Sequence, residues 1–268
     1  MRKTISAKQK FLIITSIIVI LIVFVLGRSF IGKINTRTND ESKAKTTSVK
    51  NKPTIEAGCT RNVRLENEPR FDRALSLVYE KIGKLQTDLG DASSLIFSPQ
   101  LVNCIRVKKS DLPDTIGVEG FFVFNDKDIK PNDFPISVDR KYDDADDLVN
   151  ALLLTHEITH VHQYISQLNN KDTLSCIDKE VSAFYSQLLF TTELNQEEGK
   201  SLDLRIVNDQ KLHPQLQLID SMRSLRDPHI FSKCDIFGDP DCVSRDMKSK
   251  IKELILQNDY YKEQCKGN

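Results

Sequence analysis

The chain has 268 residues, of which 39% are hydrophobic and 28% are charged, and its 38 basic and 38 acidic side chains cancel to a formal charge of zero. This composition is typical of a globular protein and excludes wholesale disorder, collagen-like structure and low-complexity structure. The balanced charge also argues against a nucleic-acid-binding protein, which needs a basic surplus or a basic stripe.

A long apolar segment lies near the N-terminus. Residues 11–26 carry no charged side chain, and four basic residues precede them, at Arg2, Lys3, Lys8 and Lys10. The segment is close to the shortest helix that crosses a bilayer core of about 30 Å. We therefore expect a single transmembrane helix at residues 11–27, with residues 1–10 in the cytoplasm. A cleaved signal peptide is the alternative, but no A-x-A-like cleavage site follows the segment.

The apolar segment is followed by a polar linker and then by a cysteine-containing domain. Residues 28–58 are rich in Lys, Thr, Ser and Asn, which predicts a flexible linker. The chain has six cysteines, at positions 59, 104, 176, 234, 242 and 265. An even number favours disulfides, although six cysteines allow 15 pairings, and Cys234 with Cys242 is one candidate hairpin. We expect residues 59–268 to lie outside the cytoplasm; a cytosol-facing domain with free thiols is the alternative.

The predicted elements of this domain follow an α+β order. Apolar residues at helical spacing predict a helix at 69–89 that ends at Gly90. Apolar runs between turn residues predict strands of a small mixed sheet at 101–107, 117–124 and 134–138. Pro135 cannot donate a ladder hydrogen bond, so the last strand is placed at a sheet edge. Helices are predicted at 146–167 and 176–189, with further helical sequence at 202–226 and 248–261.

The helix predicted at 146–167 contains an HExxH motif, His-Glu-Ile-Thr-His, at residues 156–160. Histidines four residues apart lie on one helix face, so His156 and His160 can bind one zinc ion. Glu157 then faces a water at the metal rather than the metal itself, and it is the expected general base. A pair of core histidines without a metal is the alternative.

A catalytic zinc site needs a third protein ligand and an open position for water. Glu180 lies on the apolar face of the following helix, with Ile177 and Val181, where an ionised carboxylate is costly unless it is paired or metal-bound. Glu180 is therefore the expected third ligand, and Asp178 is the competing carboxylate. Four weaker candidates for stabilising a transition-state oxyanion are His213, His229, Tyr164 and Tyr185. His162 lies on another helix face than His160 and is expected to be structural or exposed.

The HExxH motif, with Glu180 following 20 positions after His160, resembles the gluzincin metallopeptidases, whose thermolysin-like members have this spacing. The resemblance covers about residues 95–190. It implies a zincin-like fold, a Zn²⁺ cofactor, and an edge strand, here 135–138, that pairs with an extended substrate. The chain departs from the pattern at Phe184, where thermolysin-like enzymes carry an Asp that orients the first histidine, so Asp178 is the expected substitute. Gln163, standing where metzincins have Gly, argues against that group.

The sequence therefore predicts a single-pass membrane protein with an extracytoplasmic zinc metallopeptidase domain. Zinc held by His156, His160 and Glu180 would polarise a peptide carbonyl and acidify a water, and Glu157 would transfer the proton to the leaving amine. The expected partners are a peptide or protein substrate, with envelope or cell-wall peptides as candidates, and the membrane, but no nucleic acid. A non-catalytic envelope module with a structural or vestigial zinc site is the alternative.

Overall fold

The computed structural model describes residues 59–89, 99–112, 120–122, 130–169, 174–208, 218–222 and 242–266. The predicted transmembrane segment at 11–27 and the predicted tether at 28–58 lie outside these residues. Of the helices that are described, none is both long enough and apolar enough to span a membrane.

The described chain is mostly helical and has one small sheet. Its elements in chain order are α1 (Pro69–Leu89), α2 (Pro99–Asn103), β1 (Ile105–Ser110), β2 (Gly120–Phe122), β3 (Phe134–Asp139), a 3-10 helix (Arg140–Asp144), α3 (Asp147–Leu168), α4 (Cys176–Thr192), α5 (Gln196–Asn208), α6 (Cys242–Gln257) and α7 (Asp259–Gln264). The three strands form a mixed sheet in the order β1-β3-β2. The predicted α+β class is confirmed.

The position predicted for residues 134–138 at the sheet edge is wrong, because β3 is the central strand. It pairs in parallel with β1, with Ile105 opposite Phe134, and antiparallel with β2, with Phe122 opposite Ile136. The N–H of Phe134 donates to the carbonyl oxygen of Cys104 at 2.8 Å, towards β1. Successive N–H groups alternate in direction, so the nitrogen of Pro135 faces the β2 side. The described β2 pairing ends at Ile136, so the missing N–H removes no bond from that pairing.

The strand predicted at 101–107 begins later than expected. Residues Pro99–Asn103 are helical, and the strand occupies Ile105–Ser110. Proline is favoured in the first turn of a helix. Leu101 and Val102 are both buried, so the apolar run reflects burial of a short helix in the core as well as of a strand.

Helix α3 lies at the centre of the described fold. Asp146 caps its start by accepting a hydrogen bond from the Val149 N–H at 2.9 Å. Asp147 in its first turn pairs with Arg73 of α1. The helix packs against α1, α4 and β2, and every side chain from Val149 to Val161 is buried. A helix buried on all sides places its HExxH motif inside the core rather than on a surface.

Two disulfides join distant parts of the described chain, which confirms the prediction of disulfide bonds. Cys59 pairs with Cys104 next to β1, and Cys176 at the start of α4 pairs with Cys265 just after α7. Cys242 is also disulfide-bonded. Its predicted partner, Cys234, lies outside the described residues.

Candidate metal centre

The packing of α3 against α4 brings three side chains with metal-binding atoms together. His156 and His160 come from α3 and Glu180 from α4, and all three are buried, with exposed fractions of 3%, 7% and 5%. The Nε2 atom of His156 lies 3.2 Å from Oε2 of Glu180, and that of His160 lies 3.6 Å from Oε1. The potential ligand atoms all lie within 4.8 Å of one another.

The two distances from Nε2 to the carboxylate are close to those between neighbouring ligand atoms of a tetrahedral zinc ion. Zinc bonds of 2.0 to 2.2 Å hold neighbouring ligand atoms roughly 3.3 to 3.6 Å apart. Two imidazoles and one carboxylate are also a ligand set that zinc uses in catalytic sites. Moreover, Oε2 of Glu180 is buried and accepts no hydrogen bond from the residues described. A buried carboxylate oxygen that accepts no hydrogen bond is costly, and a cation beside it and Nε2 of His156 would remove that cost.

The charges of the cluster also favour a cation. Burial lowers the pKa of His160, but the Glu180 carboxylate outweighs it and raises this pKa to about 9. Burial likewise raises the pKa of Glu180, but His160 and His156 outweigh it and hold that pKa well below its ordinary value. Without a metal, a proton on His160 therefore supplies the positive charge between the imidazole and the carboxylate. A metal ion would replace it.

Glu157 lies beside this cluster, with its side chain against β2. It is 3% exposed, and its carboxylate accepts a hydrogen bond from the backbone N–H of Phe122. Burial raises the pKa of the carboxyl group, which makes the carboxylate a stronger base. A Cβ atom at Gly120 would lie 3.5 Å from Cγ of Glu157. This is an ordinary van der Waals distance, so β2 lies directly against the side chain of Glu157.

The sequence analysis missed the groups that contact the second nitrogen of each histidine. Nδ1 of His156 lies 3.1 Å from Oε1 of Gln187, and Nδ1 of His160 lies 2.9 Å from Oε1 of Gln163. The spacing contains a usable signal for Gln163, because it is one helical turn after His160. Gln187 lies on α4 and carries no such local signal.

Asp178, the competing carboxylate, faces a different set of partners. It accepts hydrogen bonds from Nζ of Lys252 at 2.7 Å and from Oγ of Ser175 at 2.6 Å. The Lys252 ammonium, followed by Ser175, holds the pKa of Asp178 below its ordinary value. Asp178 therefore does not make the contact expected of it, and Gln187 is the residue that contacts Nδ1 of the first histidine.

The weaker candidates of the sequence analysis are spread over the fold. Tyr164 packs edge-on against Phe122, and Tyr185 lies under the ammonium of Lys248. His162 is half-buried and does not belong to the His-His-Glu cluster. His213 and His229 lie outside the described residues.

Tyr260 of α7 is a neighbour of the cluster that no sequence signal identified. Burial raises the pKa of its phenol to about 12, with added contributions from the Glu180 and Glu157 carboxylates. The next residue, Tyr261, stacks edge-on against Phe184, which in turn stacks against His156. Tyr260 thus remains a hydrogen-bond donor at neutral pH beside the cluster.

The chain matches no family model, no curated protein and no solved structure. The likeness to gluzincins therefore rests on the HExxH motif, the position of Glu180 and the geometry described above.

Proposed function

We propose that this chain is a membrane-anchored zinc metallopeptidase of the gluzincin type, with a zincin-like domain at residues 59–268 outside the cytoplasm. One observation carries the proposal. His156, His160 and Glu180 meet in one buried cluster with Nε2–carboxylate distances of 3.2 and 3.6 Å, and the buried carboxyl group of Glu157 interacts electrostatically with all three.

Zinc, Glu157 and Tyr260 each have a separate role in the peptide hydrolysis that we propose. Bound zinc supplies a Lewis acid that polarises a peptide carbonyl and acidifies a water. Glu157 accepts the proton of the attacking water and passes it to the leaving amine, and its buried position strengthens it as a base. We further propose that the phenol of Tyr260, whose pKa is raised by burial and by the Glu180 and Glu157 carboxylates, donates a hydrogen bond to negative charge that develops on the carbonyl oxygen.

A peptide substrate needs a strand beside the metal centre, and β2 suits this role. The sequence analysis assigned substrate pairing to residues 135–138, but both sides of β3 are occupied by neighbouring strands. Strand β2 is an outer strand of the described sheet, and its Phe122 N–H reaches Glu157. An extended peptide added beside β2 would lie close to the general base.

Disulfides support a location outside the cytoplasm, because they persist in oxidising compartments. A domain held near a membrane in such a compartment would meet envelope or cell-wall peptides, which are the substrates that we propose.

A second candidate function is a non-catalytic envelope module with a structural zinc site. The observation in its favour is the burial of the cluster: the three candidate ligands and Glu157 are each less than one-tenth exposed. A structural zinc site is closed by protein ligands, whereas a catalytic one keeps a position for water.

The replacement of Glu157 by Gln tests the catalytic proposal directly. The change preserves the size of the side chain and removes its basicity, so we expect zinc to remain bound while turnover falls by a factor on the order of 10² or more. The full-length protein would be incubated with a degenerate peptide mixture, and the products would be read by mass spectrometry. Glu197→Gln, on the exposed first turn of α5, is the matched control.

Each outcome separates the two candidate functions. Cleavage by the wild type and the Glu197 variant, but not by Glu157→Gln, supports the peptidase. Bound zinc without cleavage by any form favours the structural module. Full activity in Glu157→Gln would show that the general base has been assigned to the wrong residue.

A further inference from the structure

Each of the three candidate ligands contacts the side-chain amide of a different glutamine. Gln187 contacts His156, Gln163 contacts His160, and Gln264 contacts Glu180. The first two glutamines are buried, with exposed fractions of 0% and 3%. Gln187 reaches from α4 to α3, and Gln163 reaches from α3 to α4.

The orientation of the two buried amides follows from their second partners. Nε2 of Gln187 donates to the carbonyl oxygen of Leu152 at 2.9 Å, and Nε2 of Gln163 donates to that of Lys179 at 2.9 Å. A backbone carbonyl can only accept, so it must face the amide nitrogen of each glutamine. The amide oxygen is then left for the imidazole, and it too can only accept a hydrogen bond.

This arrangement determines which imidazole nitrogen carries the hydrogen. Nδ1 of His156 and of His160 must donate to the amide oxygens, so Nε2 is the nitrogen of each ring whose lone pair can bind a metal once it carries no proton. Both Nε2 atoms point to the Glu180 carboxylate. The two glutamines therefore hold both histidines in the form that binds a metal through Nε2.

The third glutamine comes from the C-terminal helix. Nε2 of Gln264 donates to Oε1 of Glu180 at 3.4 Å, while Oε2 keeps no hydrogen bond from the described residues. The neighbouring residue, Cys265, is disulfide-bonded to Cys176, which lies one helical turn before Glu180. The disulfide thus holds the amide of Gln264 close to the carboxylate.

We propose that Gln163, Gln187 and Gln264 are positioning residues, one for each metal ligand. This inference rests on the proposed function, because it assigns roles around the same metal. Neutral amides orient the ligands without adding negative charge. A divalent cation with one carboxylate ligand then keeps a net charge of +1, which makes it a stronger Lewis acid than a site whose histidines are oriented by carboxylates.

The test uses the full-length protein with methionine in place of each glutamine, because methionine is similar in length and makes no comparable hydrogen bond. We expect Gln163→Met and Gln187→Met to weaken zinc binding tenfold or more, within the range known for groups that orient metal ligands. Gln264→Met, near the surface, should have a smaller effect of the same sign. Zinc affinity would be measured by competition with a chelator, with the cobalt(II) absorption spectrum as a second readout.

Gln167→Met is the matched control, because Gln167 is exposed on α3 one turn after Gln163. Circular dichroism would show whether each variant is folded. Zinc affinities of Gln163→Met and Gln187→Met equal to that of the control would overturn the inference. If the wild type itself bound no zinc, the proposed function would fail as well, so the two failures are distinguishable.

A second measurement needs no substitution. Nitrogen-15 spectra of the zinc-loaded wild type should show hydrogen on Nδ1 and zinc on Nε2 for both His156 and His160. Zinc bound through Nδ1 of either ring would overturn the inference.

Discussion

Glu180 and Asp178 are neighbouring carboxylates on α4 that zinc binding should distinguish. Glu180 is buried against both imidazoles, whereas Asp178 is partly exposed and paired with Lys252. We expect Glu180→Ala to weaken zinc binding tenfold or more, as for a lost ligand, and Asp178→Ala to leave it unchanged. The measurement is zinc content after dialysis against a graded chelator. Loss of zinc from Asp178→Ala alone would move the site to the other carboxylate.

The response of zinc binding to pH follows from the protonation of His160. In the zinc-free protein its pKa is about 9, against 6.5 for an ordinary histidine. The raised pKa stabilises the folded protein fully below about pH 6.5, and this contribution is lost as the pH rises through 9. Zinc must displace the proton, so its binding strengthens over the same interval.

We therefore expect the increase in Tm on adding zinc to grow between about pH 6.5 and pH 9 and to level off above it. Thermal unfolding with and without zinc, at a series of pH values, would measure this. His160→Asn removes a candidate ligand and should abolish the increase at every pH; an increase that is the same at every pH in the wild type would contradict the expectation.

For individual residues, the sequence predicted which candidate ligands lie together, but it did not predict which side chains orient them. Residues four apart on a helix share a face, so the convergence of His156 and His160 follows from local geometry alone. The contact between Gln187 and His156 depends on how α4 lies against α3. Such a contact is set by tertiary packing, and the motif contains no information about it.

Among the structural elements, the two disulfides are expected to stabilise the fold by similar amounts, although only one of them lies beside the candidate metal centre. Cys59–Cys104 and Cys176–Cys265 span 45 and 89 residues. Loop-closure entropy gives each about 4 to 5 kcal/mol of stabilisation at most. Replacing either pair by serines should therefore lower the free energy of unfolding in urea by similar amounts.

Zinc affinity should separate the two variants. Only Cys176–Cys265 holds Gln264 next to Glu180, so we expect its removal to weaken zinc binding severalfold, whereas the removal of Cys59–Cys104 should not. Chelator competition on the folded variants measures the difference. Equal affinities in the two would show that the second disulfide serves stability alone.

The long helices were predicted well because their signals are local and strong. The helix at 69–89 matches its predicted bounds, and those predicted from 146 and 176 begin within one residue of α3 and α4. The sheet was harder to predict, because strand order depends on long-range pairing. Pro135 shows the difficulty: the rule against proline in a ladder concerns one missing N–H, and here that N–H faces the side where described pairing stops.

At the scale of the whole molecule, the topology is the prediction with the widest consequences. The basic N-terminus, the apolar segment at 11–27 and the disulfides lead us to expect residues 59–268 outside the cytoplasm. Protease added to spheroplasts should digest this domain and leave a short N-terminal fragment protected. Complete resistance of the chain, together with six titratable thiols, would reverse the assignment.

The helices that carry the candidate ligands also have a consequence for the order in which the protein folds. Helices α3 and α4 are neighbours in sequence, whereas β1 pairs with β3 across a longer stretch and Cys176 pairs with Cys265 across 89 residues. Short loops cost little entropy to close, so a helical hairpin of α3 and α4 can form early. If this hairpin forms before the rest of the fold, a metal ion bound by both helices would stabilise the transition state for folding, and we expect it to accelerate refolding more than it slows unfolding. The metal ion would then bind while the domain is still folding, to the helical hairpin of α3 and α4, rather than after the whole domain has folded.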